Sequence, residues 1–252
     1  MVFLKKPEEI AMIRESGKIL AAVLKILEKK TKAGVSLREL DSLAAKELYL
    51  RGAKSAFLNY CPEGSRRPYP ANICTSINDV VVHGIPSPYV IKNGDLVKID
   101  LGVDWKGMIS DAALTVAVKI NSPAVRRLVR ATREALFAGI KAARLGRTVG
   151  DIGFVINRVA RKNKLAVIRG LGGHGVGFRP HEDPMIYNYG KRGVGTPLRE
   201  GMVIALEPMF SLGDSRVIER PDGSFATADR SLTAHFEHTI AITKRGPKIL
   251  TD

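Results

Sequence analysis

Lys98-Ile-Asp100-Leu-Gly-Val-Asp104-Trp-Lys-Gly107-Met-Ile-Ser-Asp111 sets two acids inside a strand-forming run interrupted by Asp104-Trp-Lys-Gly107. Apolar runs on either side of a short glycine-containing turn read as a β-hairpin. With the turn centred on Trp105-Lys106, Asp104 faces Gly107 and Asp100 falls directly opposite Asp111. Directly opposed residues share a face, with Cβ atoms about 4.5–5.5 Å apart. Two carboxylates that close repel each other unless a proton or a cation is shared between them. Their neighbours Ile99, Leu101, Ala112 and Ala113 are apolar, so burial sharpens the conflict. In another register one Asp caps a turn, and the pair by itself leaves both readings open.

Outward from the hairpin, the chain alternates helical and strand patterns. Upstream, Ile10, Ile13, Gly17, Leu20, Leu24 and Leu27 form one apolar stripe on a helix from Glu8 to about Lys30. Ser36 with Glu39 forms a capping box that opens a second helix to about Arg51. Asn59–Pro70 is rich in Pro, Gly and Arg and reads as loop. Val80–Val82, Leu96–Val103 and Leu114–Val118 read as strands. Ser122-Pro123 opens a long helix to about Arg144, and Thr148 caps another to Lys162. Strand patterns return at Met202–Leu206 and His235–Thr243. The layout is α+β in two comparable halves with no linker, a single domain over residues 1–252.

Composition narrows the class. The 252 residues are 45% apolar with 24 Gly and 13 Pro, which excludes collagen-like and wholly disordered chains. No apolar run approaches the roughly 18 residues of a membrane helix, and the first residues lack an apolar signal core. Cys61 and Cys74 alone cannot build a disulfide framework, so a cytoplasmic protein is expected. Lys plus Arg number 40 against 25 acids, a net charge of +15 that would attract polyanions such as RNA or serve as a solubility surface.

Further constellations lie downstream. Gly170-Leu-Gly-Gly-His174-Gly-Val-Gly fits no phosphate-binding motif, because Pro180 and Pro184 follow where a helix is needed. Glycines flanking His174 instead permit close backbone approach. Glu207 ends the apolar run Met202–Leu206 and is fixed by Pro208. In His235-Phe-Glu237-His238, strand alternation sends His235 and Glu237 to one face, Phe236 and His238 to the other. Each alone is more often structural. Four acids and a histidine embedded in apolar strands are explained together by a shared pair of divalent ions, Mn, Fe, Co or Zn.

The ordered set Asp100, Asp111, His174, Glu207 and Glu237 resembles the five metal ligands of type I methionine aminopeptidases. The flanking words match too: Asn78-Asp-Val-Val-Val-His83-Gly-Ile-Pro, Gly173-His-Gly-Val-Gly, His181-Glu-Asp-Pro, Gly201-Met-Val-Ile-Ala-Leu-Glu-Pro-Met and Phe236-Glu-His-Thr-Ile. The resemblance runs from about Lys6 to Thr243. It implies the pita-bread fold, two αβ halves with curved antiparallel sheets around a dinuclear metal site. It also implies removal of the initiator methionine from nascent chains whose second residue is small, by a cytoplasmic monomer. Glu207 would shuttle a proton, His181 would polarise the scissile carbonyl, and His83 would contact the peptide nitrogen beyond the cleaved bond. Tyr69, Cys74 and Phe178 would line the methionine slot. Three positions depart from the family pattern: Arg66 and Pro180 stand where aromatics are frequent, and Ser224 where a Trp is common. Rival readings are an X-Pro peptidase, which usually carries an extra N-terminal domain, and a non-catalytic RNA- or ribosome-binding relative, which would have lost ligands.

Overall fold

In the computed structural model, residues 2–61 and 67–252 are described. The expected loop Asn59–Pro70 is therefore covered only in part, and Arg66 lies outside the described residues. The elements run α1 (Pro7–Lys30), α2 (Leu37–Leu50), β1 (Lys54–Ser55), β2 (Cys74–Ile77), β3 (Val80–Val82), β4 (Leu96–Trp105) and β5 (Met108–Ala117). Then follow α3 (Pro123–Ala142), α4 (Val149–Lys162), β6 (Ala166–Val167), β7 (Gly172–Gly175), β8 (Glu182–Tyr187) and β9 (Val203–Leu206). The chain closes with β10 (Met209–Ser211), β11 (Val217–Glu219), β12 (Phe225–Thr227), β13 (Thr233–His235), β14 (His238–Thr243) and β15 (Gly246–Ile249).

The helices start where their chemistry dictates. Ser36 accepts from the Glu39 N–H while the Glu39 carboxylate accepts from the Ser36 N–H, closing the capping box of α2. The stripe of α1 turns Ile13, Leu20, Leu24 and Leu27 inward, and α1 packs on β4 and β5. Leu20, Leu24, Leu27, Leu40, Ile99 and Leu101 share one core. In the second half, α3 packs against α4 and β13, and Leu128, Leu136, Ile152, Ile156, Ile204 and Ile240 share another.

The central hairpin differs in register from the sequence expectation. Trp105 pairs with Met108, so Asp100 faces Ala113 and Gly102 faces Asp111. The turn residues are Lys106 (φ +53°) and Gly107 (φ +79°), a left-handed pair that suits strand twist. The Asp104 carboxylate accepts from the Gly107 N–H at 2.9 Å and ties the turn. The slip is two residues, and strand parity is unchanged, so Asp100 and Asp111 remain on one face as diagonal neighbours.

The run His235–Thr243 is also not one strand. It breaks at Phe236–Glu237, where the chain passes from the sheet β13-β10-β6 to the five-stranded sheet β15-β14-β9-β7-β8. At the break, Glu237 donates its N–H to the Ala113 carbonyl of β5, joining the halves. Two threonines complete the seam. Thr239 Oγ1 donates to the Asp111 carbonyl and accepts its N–H (2.8 and 2.9 Å). Thr115 Oγ1 does the same for His235 (2.6 and 2.9 Å). Each half thus clamps the other's functional strand through one hydroxyl, with the same four-residue spacing, Asp111 to Thr115 and His235 to Thr239.

Candidate metal centre

Between the halves lies a cavity of about 930 Å³. Asp100, Asp111, His174, Glu207 and Glu237 all line it, with His83 and His181. Five ligand candidates, three from strands β4, β5 and β7 and two from loop positions, spread over 137 residues between Asp100 and Glu237, converge on one site. One donor atom each from Asp111, His174 and Glu237 falls within 4.8 Å of the others. His174 Nε2 stands 3.5 Å from Glu207 Oε1.

His174 reaches this position because its neighbours have no side chains. A Cβ on Gly173 would collide with the Ala205 carbonyl oxygen, and one on Gly175 with that of Asp183. The His174 Nδ1 pairs with the Gly175 carbonyl at 2.9 Å, which places the proton on Nδ1 and the lone pair on Nε2, facing Glu207. Burial pulls its pKa down to about 3, aided by the neighbouring His181, so the ring is a neutral donor. The two imidazoles meet edge to face with centroids 4.4 Å apart.

The carboxyls are held against their preference. Desolvation lifts Asp100 to about 7. It lifts Asp111, Glu207 and Glu237 as well, and their mutual repulsion adds to it. Asp100 Oδ1, Asp111 Oδ1 and Glu237 Oε1 are buried with no hydrogen-bond partner. Buried acceptors of this kind are costly unless paired. Hard oxygens plus one imidazole, three of them within reach of a single ion and all lining one cavity, fit a divalent transition metal. The donor set therefore suits such an ion on chemical grounds.

Around the acids, the cavity wall is mixed. Tyr69 and Cys74 line it, and the Tyr69 hydroxyl shares its proton between the Ile73 and Gly84 carbonyls (3.1 and 3.0 Å). Burial raises the Cys74 thiol, which stays protonated. His83 has φ +60° and packs edge-on against Phe225 at 5.7 Å. Desolvation lowers it to about 4.

Phe178, expected in the pocket, does not line the cavity. Its ring packs against Phe3 at 5.9 Å, and Lys5 Nζ lies 5.2 Å from its centroid. The cause is Glu182, whose carboxylate accepts the N–H groups of Phe178 and Arg179 (2.7 and 3.0 Å) and pairs with Lys5. That arrangement turns the loop outward. Pro180 leaves His181 without an aromatic sequence neighbour, and Tyr60 supplies one from elsewhere. The Tyr60 hydroxyl lies 3.1 Å from His181 Nδ1, and the rings are 5.4 Å apart. Ser224 is buried and closes a turn on Asp222 through its N–H and hydroxyl (3.0 and 2.7 Å).

Tyr60 carries no signal in the sequence reading of the site, whereas strand alternation places His235 on the Glu237 face but gives it no role. His235 is 1% exposed, with neither ring nitrogen hydrogen-bonded. Its Nε2 lies 3.6 Å from Glu207 and 3.9 Å from Glu237. Desolvation, then the Lys98 charge, hold it neutral at about 3.

Comparison with known proteins bears directly on this centre. The description "Metallopeptidase family M24" applies to a profile that matches residues 11–244. A methionine aminopeptidase of Aquifex aeolicus is 48% identical over 248 residues, 97% of this chain and 96% of that protein. The chain belongs to metallopeptidase family M24, among the methionine aminopeptidases. Its fold agrees: a methionine aminopeptidase from Thermotoga maritima superposes with a TM-score of 0.95 at 39% identity, each chain covered in full. A prolidase from Pyrococcus horikoshii shares the M24 fold at 24% identity and TM-score 0.77, but this chain spans only 63% of it. The pita-bread architecture of two αβ halves with open antiparallel sheets holds for this family member. No helix among the described residues is long and apolar enough to cross a membrane.

Proposed function

We propose that the protein hydrolyses the first peptide bond of chains that begin with methionine and carry a small second residue. The observation that carries this reading is the convergence of Asp100, Asp111, His174, Glu207 and Glu237, with unpartnered buried oxygens, at the floor of a cavity in an M24 chain. Two divalent ions, Co, Mn, Fe or Zn, would be held there: one by Asp100 and Asp111, the other by His174 and Glu207, with Asp111 and Glu237 shared. When bound, such ions supply Lewis-acid polarisation and acidify water.

The protein's own groups do the rest. Glu207, with a carboxyl raised by burial, can take a proton from the attacking water and give it to the leaving amine. Tyr60 is kept a phenol by burial and its hydroxyl stands 3.1 Å from His181 Nδ1; in the tautomer in which the phenol is the donor, the His181 proton lies on Nε2 for the scissile carbonyl oxygen. His83, neutral, offers a hydrogen bond to the peptide nitrogen beyond the cleaved bond. The thioether side chain would lie against Tyr69, Cys74 and Phe57.

Nascent chains at the ribosome are the natural substrate, and the net charge of +15 supports a contact with ribosomal RNA. Arg126, Arg127, Arg130 and Arg133 are all exposed on α3, away from the cavity lining. Such an enzyme works in the cytoplasm, as a monomer. The test is cleavage of Met-Ala-Ser, Met-Leu-Ser and Leu-Ala-Ser with added Mn²⁺ or Co²⁺. Turnover of the first alone supports the reading; no turnover with any divalent metal overturns it.

A further inference from the structure

Lys98 is 1% exposed, among the largest wholly buried side chains in the protein, and the chemistry proposed above does not use it. It sits on β4 two residues before Asp100, so both project from the same face. Its Nζ donates to the Asn78 carbonyl at 2.7 Å. That same carbonyl accepts the Thr233 N–H at 3.1 Å and the Thr233 hydroxyl at 3.0 Å. Asn78 can serve as the hub because it is left-handed, φ +54°, a conformation asparagine tolerates. Its side-chain oxygen and its own N–H bind the Leu96 backbone, and its amide donates to Asp95. The carbonyl is thereby turned toward the second half.

Three chain segments thus meet at one carbonyl, that of Asn78: the strand carrying Asp100 through the Lys98 ammonium, the turn leading through β3 to His83, and β13, leading to His235 and Glu237, through Thr233. Directly across β4–β5 from Lys98 stands Thr115, whose hydroxyl clamps His235. Asp79 and Asp95 are the acids whose charge bears on the ammonium, and His235 faces it from the opposite half. A buried ammonium is costly, and an apolar side chain of the same length would serve packing better. Its retention here calls for a use.

We propose that Lys98 is a positioning residue for the metal centre, an internal pin that sets how far the Asp100 strand stands from the segment bearing His235 and Glu237. The inference rests on the metal-centre reading above. Its test is Lys98→Met, of similar length and unable to donate. Three quantities are compared with the unaltered protein: Mn²⁺ binding to metal-stripped protein by calorimetry, thermal unfolding of that stripped protein, and kcat and KM on Met-Ala-Ser. The pin predicts at least tenfold weaker Mn²⁺ binding and at least tenfold lower kcat, KM within threefold, and unfolding of the stripped protein at the same or a higher temperature. Unchanged Mn²⁺ binding and kcat, or losses accompanied by a lower unfolding temperature, overturn it. If the unaltered protein itself binds no Mn²⁺, the metal-centre reading fails instead. Should Lys98→Met not fold, Lys98→Ala is titrated in propylammonium, which replaces the missing atoms. Mn²⁺ binding restored by propylammonium and not by 1-chloropropane, which has no donor, supports the pin; restoration by both or by neither, or a chain that stays unfolded, overturns it.

Discussion

Replacing Asp100 by asparagine should stabilise the metal-free protein while destroying its metal site. The Asp100 carboxyl is lifted from 3.8 to about 7, first by desolvation. At 1.36 kcal/mol per pKa unit, that rise means the ionised group costs the fold roughly 4 kcal/mol at pH 8. The direction follows from linkage. Below pH 4 the carboxyl is protonated in both states and exerts no penalty. Between pH 4 and 7 the unfolded chain ionises while the folded site keeps its proton, so stability declines as pH rises. Above 7 the full penalty is present. Asparagine has the same shape without the charge but is still a buried polar group, so about 2–4 kcal/mol should be recovered at pH 8. For a chain of this size that is about 5–10 °C in Tm. At pH 5 the gain should be less than half as large. The assay is thermal unfolding of EDTA-treated protein, unaltered and Asp100→Asn, at both pH values, with Mn²⁺ titration alongside. Destabilisation at pH 8, or an equal gain at both pH values, would refute the electrostatic reasoning.

Asp111→Asn should abolish turnover and lower metal content while circular dichroism shows an intact fold; near-normal rates with full metal would remove Asp111 from its shared position. His181→Ala should cut kcat at least about tenfold, by analogy with roughly 10²–10³ for a lost oxyanion donor. Metal analysis of that variant should match the unaltered protein, and metal loss would make His181 a ligand. The basic surface should co-sediment with ribosomes at low salt and release by a few hundred millimolar, roughly as phosphate-driven contacts do. Arg127→Glu with Arg130→Glu should weaken sedimentation and leave tripeptide cleavage untouched; salt-indifferent binding would return the charge to a solubility role.

The helices, and the five side chains that line one cavity, were legible because their signals are local. The α1 stripe, the Ser36–Glu39 box and the Ser122-Pro123 start each need only a few neighbouring residues. Hairpin register was not, since it depends on which two residues adopt positive φ, and Lys106 gives no hint that it does so. Even so, the face shared by Asp100 and Asp111 survived, because a two-residue slip preserves strand parity. The break at Phe236–Glu237 arises from a change of sheet, which no alternation pattern records. Tyr60 acts through a partner 121 residues distant that it meets only once the halves close, and Lys98 through a carbonyl 20 residues distant whose direction is set by the left-handed backbone at Asn78. Phe178 faces outward because of Lys5 and Glu182, which lie 177 residues apart.

Anomalous diffraction from a Mn²⁺-soaked crystal tests the dinuclear centre most directly. Two peaks are expected in the cleft, one contacted by Asp100, Asp111 and Glu237, the other by Asp111, His174, Glu207 and Glu237. Their separation should be about 3.5–4 Å, as in other two-metal hydrolytic sites. No peak among these five residues at millimolar Mn²⁺, or an ion bound only elsewhere on the surface, would contradict the account.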